Sequence, residues 1–205
     1  MYLGGKITRY FQILIAVIGS FVMFGCKETL TPEEFTAWFE NEENGFIFNQ
    51  TIDSFSYKIQ YRPNELMSLI AYKGDNNQNL SVLKREFSED WYFKLNICEI
   101  DKKKDALKTN LGSESDYFKR VHFLSEEIKE NAFLILQSND TAWCTLHVYE
   151  RTYNINPCQT LLFSFPKSKA QGISKFILYD KVFSGKPIEF DVDQIDRKKY
   201  PQFKL

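Results

Sequence analysis

The sequence predicts a β-rich α+β fold, an antiparallel sheet or sandwich with a few packed helices. Apolar and polar residues alternate in many short segments, and no regular series of helices separates those segments. Aromatic residues make up 16% of the 205 residues, and this set requires a core to bury it. Apolar residues at 43% and charged residues at 26% exclude a disordered chain, a collagen and a protein with many membrane spans.

The region 1–25 is predicted to be a signal peptide. Lys6 and Arg9 precede an almost wholly apolar stretch over 11–24, and no acidic residue accompanies them. A positive segment followed by a short apolar stretch is typical of secretory signals. The stretch is shorter than the about 20 apolar residues that a membrane-spanning helix needs. An uncleaved amino-terminal anchor is the alternative.

A small residue and Cys26 end the apolar stretch, and polar residues follow at once. This arrangement resembles the lipobox of bacterial lipoprotein precursors, in which the peptidase cuts before a cysteine that is already lipidated. The resemblance implies that Cys26 carries a diacylglyceryl thioether and becomes the mature amino terminus. A short tether over 26–30 then begins a single globular domain over 26–205. Met23 and Phe24 depart from the usual Leu and small residue.

The lipobox resemblance implies a lipid-anchored protein of the cell envelope, with the membrane as one partner. In lipoproteins of this kind, a residue other than Asp at position 27 favours transport to the outer membrane, on its periplasmic or surface face. The segments 30–35, 149–154 and 165–167 are also similar to uncharacterised lipoproteins of Bacteroidota, whose activity is unknown. The triplet 140–142 matches an O-glycosylation acceptor pattern of those bacteria, so that Thr141 is a candidate glycosylation site.

A helix is predicted directly after the tether. Thr31 is a suitable cap, Pro32 suits the first helical position, and Glu34 completes a capping box. Aromatic residues then recur at helical spacing: Phe35, Trp38 and Phe39. This stripe predicts a helix docked on the core, with an exposed aromatic platform for a ligand as the alternative.

Alternating or wholly apolar segments predict the strands. The predicted strands are 46–52, 55–62, 91–97, 133–137, 142–151, 161–165, 176–181 and 188–192. Further helices are predicted over 64–72, 80–88 and 117–128, with a strand over 117–124 as an alternative to the last. The polar pair at 53–54 predicts a hairpin between the first two strands, and 198–201 is predicted to be a loose tail.

Charge gives little support to a polyanionic partner. The net charge of −1 removes the electrostatic case for nucleic acid, which needs clustered cations. The lysines at 102–104 lie between Asp101 and Asp105 and predict a solvated turn. A phosphate or lipid-headgroup site at these lysines is the alternative.

Three cysteines remain once Cys26 is assigned to lipid: Cys98, Cys144 and Cys158. An odd number implies at least one free thiol or an intermolecular bond. Cys98 and Cys144 are expected to be small buried side chains. A disulfide between Cys144 and Cys158 is the alternative, which the envelope would permit.

The sequence carries no catalytic signature and no metal-ligand spacing around its two histidines, and we expect no cofactor and no metal. The leading hypothesis is therefore a lipid-anchored, non-enzymatic binding or assembly module with an envelope protein or glycan as partner. The rival is an envelope hydrolase with loop-borne catalytic residues, for which His147, Glu150 and Arg151 are the candidates. A glycan-binding lipoprotein would instead show exposed aromatic rings in a groove.

Overall fold

The computed structural model describes residues 29–75, 77–151, 155–167 and 172–205. These residues form one five-stranded sheet, one four-stranded sheet and one parallel pair of short strands. The predicted β-rich α+β fold is confirmed. The signal peptide and Cys26 lie outside the described residues, so the predictions of cleavage and lipidation stay predictions. Within the described part of the chain, no helix is long and apolar enough to cross a bilayer.

The strands in this part of the chain are β1 (Thr29–Leu30), β2 (Ile47–Ile52), β3 (Phe55–Arg62), β4 (Asp90–Glu99), β5 (Ala132–Leu136), β6 (Thr141–Trp143), β7 (Leu146–Glu150), β8 (Gln159–Pro166), β9 (Ile173–Tyr179), β10 (Pro187–Asp191) and β11 (Gln202–Phe203). The α-helices are α1 (Pro32–Glu40), α2 (Asn64–Gly74), α3 (Leu80–Glu86) and α4 (Glu114–His122). A π-helical turn (Phe123–Glu127) and a 3-10 turn (Ile128–Asn131) continue α4. The segment predicted as a helix or a strand is therefore helical.

Helix α1 begins as predicted. The Thr31 hydroxyl accepts a hydrogen bond from the Glu34 N–H at 3.2 Å, and the Glu34 carboxylate accepts one from the Thr31 N–H at 2.8 Å. These reciprocal bonds satisfy two donors that a helix start leaves without partners. Phe35 and Phe39 are fully buried, and their rings meet edge-to-face at 5.2 Å. The aromatic stripe therefore docks the helix on the core.

The five-stranded sheet is antiparallel and has the order β2-β3-β4-β8-β7. The predicted hairpin joins β2 to β3, with Ile52 opposite Phe55 and the turn at Asp53-Ser54. Asp53 adopts a positive φ of 52°, a conformation that Asp tolerates better than most residues. Strand β8, which contains the wholly apolar run, lies inside the sheet as such a run indicates.

The four-stranded sheet is also antiparallel and has the order β10-β9-β5-β6. Phe176 on β9 contacts Phe93 of the other sheet at 5.3 Å and Phe163 at 5.9 Å between ring centroids. All three side chains are fully buried. Burying a side chain of this size contributes about 1.5–3 kcal/mol, so the facing aromatic residues hold the two sheets together.

The prediction of one long strand over 142–151 is wrong. The segment forms β6 in the four-stranded sheet and β7 in the five-stranded sheet, and the chain changes sheet between them. The Cys144 N–H still donates to Ala132 O at 3.2 Å, whereas the Thr145 N–H donates to Ser164 O of the other sheet at 3.0 Å. On β7 the apolar residues Leu146 and Val148 are exposed, so apolar alternation alone did not indicate which face of the segment is buried.

The prediction of a loose tail at 198–201 is also wrong. The Tyr200 ring packs against Phe39 at 5.3 Å, and the Tyr200 hydroxyl donates to the Glu65 carboxylate at 2.5 Å. Strand β11 then pairs in parallel with β1, and the Lys204 N–H donates to Leu30 O at 3.1 Å. Aromatic packing and strand pairing therefore fix residues 200–204 to α1, α2 and β1.

The cysteines pair differently from the expectation. Cys98 and Cys158 form a disulfide, with Cα atoms 4.3 Å apart, and Cys144 is the free cysteine of the described chain. Cys98 is buried as expected, although in a disulfide, whereas Cys144 is only half-buried, and the alternative Cys144–Cys158 bond is wrong. Strands β4 and β8 are antiparallel, and Ile97 lies opposite Gln159. Cys98, which follows Ile97, therefore lies opposite Cys158, which precedes Gln159.

Candidate functional site

The three residues considered as hydrolase candidates do not form a group. On β7, His147 is half-buried, whereas Glu150 is exposed. The two residues are three positions apart on one strand, so their side chains lie on opposite faces of the sheet. Arg151 follows the end of the strand and is exposed. The structure therefore brings no acid or base of this set to His147.

His147 has a structural role. Its Nε2 lies 3.1 Å from Leu124 O and 3.0 Å from Ser125 O. Both carbonyl oxygens are acceptors, so the hydrogen-bond network assigns the proton to Nε2, which donates. That nitrogen is not available as a base, and the contact ties β7 to the π-helical turn.

Neither the free thiol of Cys144 nor a metal-binding cluster supports catalysis in the described residues. Burial raises the pKa of the Cys144 thiol to about 11, so that it stays protonated at neutral pH. Throughout the described ranges, no three His, Cys, Asp or Glu side chains gather where they could hold a metal ion.

A row of aromatic side chains occupies the outer face of the four-stranded sheet. Phe133 on β5 lies between Trp143 on β6, at 4.9 Å between ring centroids, and Tyr179 on β9, at 5.6 Å. Trp143 is 54% exposed and Tyr179 is 48% exposed, whereas Phe133 beneath them is only 7% exposed. We call these three residues the aromatic surface.

The local sequence explains why these rings face outward. On β5, Ala132 and Leu134 are fully buried in the core, so the intervening Phe133 points to the other face. On β6, Ala142 is buried and Trp143 is exposed, and the strand register places Trp143 directly opposite Phe133. A small residue therefore faces the core while the largest residue type faces water, which is typical of a binding surface rather than of a core.

Polar groups border the aromatic surface. Thr141 is exposed on the same face of β6 as Trp143, two residues before it. On the neighbouring strands, Lys175 and Glu189 form an exposed ion pair at 3.3 Å. A glycan on Thr141 would therefore lie beside the aromatic surface. An apolar centre with a polar border is the usual composition of a protein-binding surface.

Neither Trp143 nor Tyr179 was identified as a site residue from the sequence. The two residues are far apart in the sequence, and only the pairing of β6, β5 and β9 brings them together. The available signal was local: in the alternation of β6, Ala142 takes the buried position and Trp143 the exposed one.

Comparisons with known proteins supply no identity. No protein-family model and no curated protein matches the sequence. Among solved structures, the chain is similar to a novel protein of unknown function from Burkholderia pseudomallei K96243, with 7% identity and a TM-score of 0.33. That match covers 80% of this chain and 90% of the other, and a likeness at this level carries no argument about fold or function.

Proposed function

We propose that this protein is a lipid-anchored, non-enzymatic binding module of the cell envelope, attached through Cys26 to the outer membrane. The aromatic surface carries the proposal, because Trp143 and Tyr179 leave half of their large side chains in water. Such residues are enriched where proteins bind partners. The Cys98–Cys158 disulfide supports the envelope location, since disulfides persist in compartments outside the reducing cytoplasm.

The partner that fits best is another envelope protein. The rings of Trp143 and Tyr179 are tilted by 44° and 48° from that of Phe133, so they form an uneven apolar surface rather than one flat plane. In addition, β6 is the outermost strand of its sheet. An outermost strand can accept a strand from a partner, whose side chains would then pack against Trp143.

Site-specific photo-crosslinking in intact cells tests this proposal. A photoreactive phenylalanine analogue replaces Trp143 in one variant and Phe118 in the control, because Phe118 on α4 is 60% exposed but lies outside the aromatic surface. We expect a discrete adduct from position 143 and none from position 118. We also expect Trp143→Ala, but not Phe118→Ala, to reduce co-purification of the same partner. Recovery of the protein alone, or equal adducts from both positions, would contradict the proposal.

Glycan binding is the second candidate function. Sugar rings stack on exposed aromatic side chains, and Thr141, Lys175 and Glu189 supply hydrogen-bonding groups at the border of the aromatic surface. This function predicts that the protein is retarded in gels that contain envelope polysaccharide and that Trp143→Ala abolishes the retardation. The hydrolase is the weaker alternative, because Nε2 of His147 donates to backbone oxygens and Glu150 lies on the other face of its strand.

The lipid anchor has its own test. Cys26→Ser removes the sulfur that would form the thioether, so the variant is expected to lose incorporation of labelled palmitate and to leave the membrane fraction. Cys144→Ser is the matched control and should retain both properties. Continued palmitate labelling of Cys26→Ser would refute the assignment of the anchor.

A further inference from the structure

A concavity lies on the outer face of the five-stranded sheet. It encloses about 440 Å³, a size typical of small-molecule sites. Lys58 on β3, Asn96 on β4 and Thr160 on β8 stand opposite one another in the strand register and form one row across it. We call it the lysine cleft, because Lys58, Lys94 and Lys102 all line it.

The charges of the lysine cleft are not balanced. Among the described residues that line it, Glu42 is the one carboxylate, against three lysines. Both of its oxygens are occupied, because Lys58 Nζ donates to one at 2.5 Å and Asn49 Nδ2 to the other at 3.1 Å. The ammonium groups of Lys94 and Lys102 have no hydrogen bond or ion pair with any described residue. Both lysines therefore lack a direct ion pair within the described chain, while the Glu40 and Glu150 carboxylates act on Lys94, and Glu42 on Lys102, only at longer range.

Of these two lysines, Lys94 gives the stronger indication of a bound anion. Its side chain is half-buried among the strands. Burial, and secondly the neighbouring Arg62 guanidinium, lower the pKa of Lys94. Arg62 is itself engaged, since its Nε donates to Gln60 Oε1 at 3.0 Å and its guanidinium lies 4.0 Å from the Glu40 carboxylate. The Glu40 and Glu150 carboxylates offset part of the cost of burying the Lys94 ammonium group, and an anion in direct contact with it would offset more.

The neutral groups of the lysine cleft also favour an anion. The Thr160 hydroxyl donates to Asn96 Oδ1 at 2.8 Å, which occupies the acceptor of that amide. The amide nitrogen of Asn96, a donor, has no acceptor among the described residues. Lysine ammonium groups are likewise donors only. The groups left for a ligand at Lys94, Lys102 and Asn96 are therefore all hydrogen-bond donors.

We propose that the lysine cleft binds a phosphate group, held by Lys94 and Lys102 and by the amide of Asn96. A phosphate suits this set better than a carboxylate does. Lysines bind phosphate as separate point charges, whereas a planar carboxylate is usually bound by the guanidinium of an arginine through two parallel hydrogen bonds. The nearby guanidinium of Arg62 is already engaged by Gln60 and Glu40. Soluble phosphate esters and lipid headgroups share this chemistry.

Calorimetric titration of the full chain in detergent with inorganic phosphate at low ionic strength tests the proposal. We expect Lys94→Gln to weaken binding by about tenfold or more, because the half-buried charge is lost. Lys119→Gln is the control, since Lys119 is an exposed lysine of α4, paired with Asp116 at 3.1 Å and outside both surfaces, and should leave affinity unchanged. Glu42→Gln should strengthen binding by about threefold, because the repelling carboxylate disappears and Lys58 is released.

Two further ligands distinguish the source of the phosphate. Tighter binding of glycerol 3-phosphate than of dihexanoyl phosphatidic acid would identify a soluble phosphate ester, and the reverse order would identify a lipid headgroup. Both results support the proposal if Lys94→Gln weakens binding of the preferred ligand. It is overturned if the protein shows no saturable phosphate binding, if Lys94→Gln binds phosphate as the unmodified chain does, or if Lys94→Gln and Lys119→Gln weaken binding equally. Circular dichroism of each variant checks that the fold is intact.

Discussion

The disulfide between Cys98 and Cys158 makes a quantitative prediction about stability. It joins residues 60 positions apart in the sequence, at the level where β4 pairs with β8. The double variant Cys98→Ser/Cys158→Ser removes the bond while both side chains keep nearly the same size. The matched control is Cys144→Ser, which removes the free thiol and leaves the disulfide in place.

The expected loss follows from the length of the closed loop. In the chain-entropy model, closing a loop of this length lowers the entropy of the unfolded state enough to stabilise the fold by about 4 kcal/mol at 25 °C. Domains are typically stable by only about 5–15 kcal/mol, so the loss is a large fraction of the total. Cys144→Ser should lower the free energy of unfolding by no more than about 1 kcal/mol, since the side chain is only half-buried.

Urea unfolding followed by fluorescence measures both effects, and a thiol assay tests the pairing directly. The unfolded mature protein should show one reactive thiol, that of Cys144, if Cys26 carries its thioether. In the folded protein this thiol should react slowly at pH 8, because burial raises its pKa to about 11. The reasoning is refuted if the double variant unfolds at the same urea concentration as the unmodified protein, or if unfolded Cys144→Ser still shows a thiol.

Three further predictions concern the tyrosines. Tyr57→Phe removes a hydroxyl that donates to the buried Asp180 carboxylate at 2.6 Å, and should lower the unfolding free energy in urea by about 2 kcal/mol. Tyr200→Phe removes the bond to Glu65, and should accelerate hydrogen exchange of β11 amides without changing exchange in β4. Burial raises the pKa of Tyr57 above its usual range and that of Tyr92 to about 12. Because unfolded tyrosines ionise near pH 10, these tyrosines should add no pH dependence to the unfolding free energy below that pH, which is measured in the Cys144→Ser background to remove the thiol's own contribution. Above it, the free energy should fall by about 1.4 kcal/mol per pH unit for each such tyrosine.

The elements that the sequence predicted well depend on contacts between near neighbours. The capping box of α1 needs only Thr31 and Glu34, three residues apart. The hairpin of β2 and β3 needs two alternating segments and a turn at Asp53 that tolerates a positive φ. Because both partners of each interaction lie within one short window, reading the residues in order is enough to find them.

Both candidate surfaces depend instead on strand register. The aromatic surface needs β5 to separate β6 from β9, so that Phe133 lies between Trp143 and Tyr179. The lysine cleft needs Lys58 opposite Asn96, on strands that are distant in sequence. Alternation predicts which residues of a strand share a face, but it carries no information about which strands are neighbours. The sequence therefore indicated outward residues without showing which of them meet.

The wrong prediction of one strand over 142–151 also led to a wrong alternative for the disulfide. If 142–151 were a single strand, Cys144 and Cys158 would flank one hairpin and their pairing would be reasonable. In the structure, Leu146 is opposite Ser164, six residues along β8 from Cys158, which corresponds to about 20 Å of strand. A disulfide requires Cα atoms within about 7 Å, so Cys144 cannot reach. Cys98 is at the level of Cys158 instead, and their bond fixes β4 to β8 at the rim of the lysine cleft, which both cysteines line.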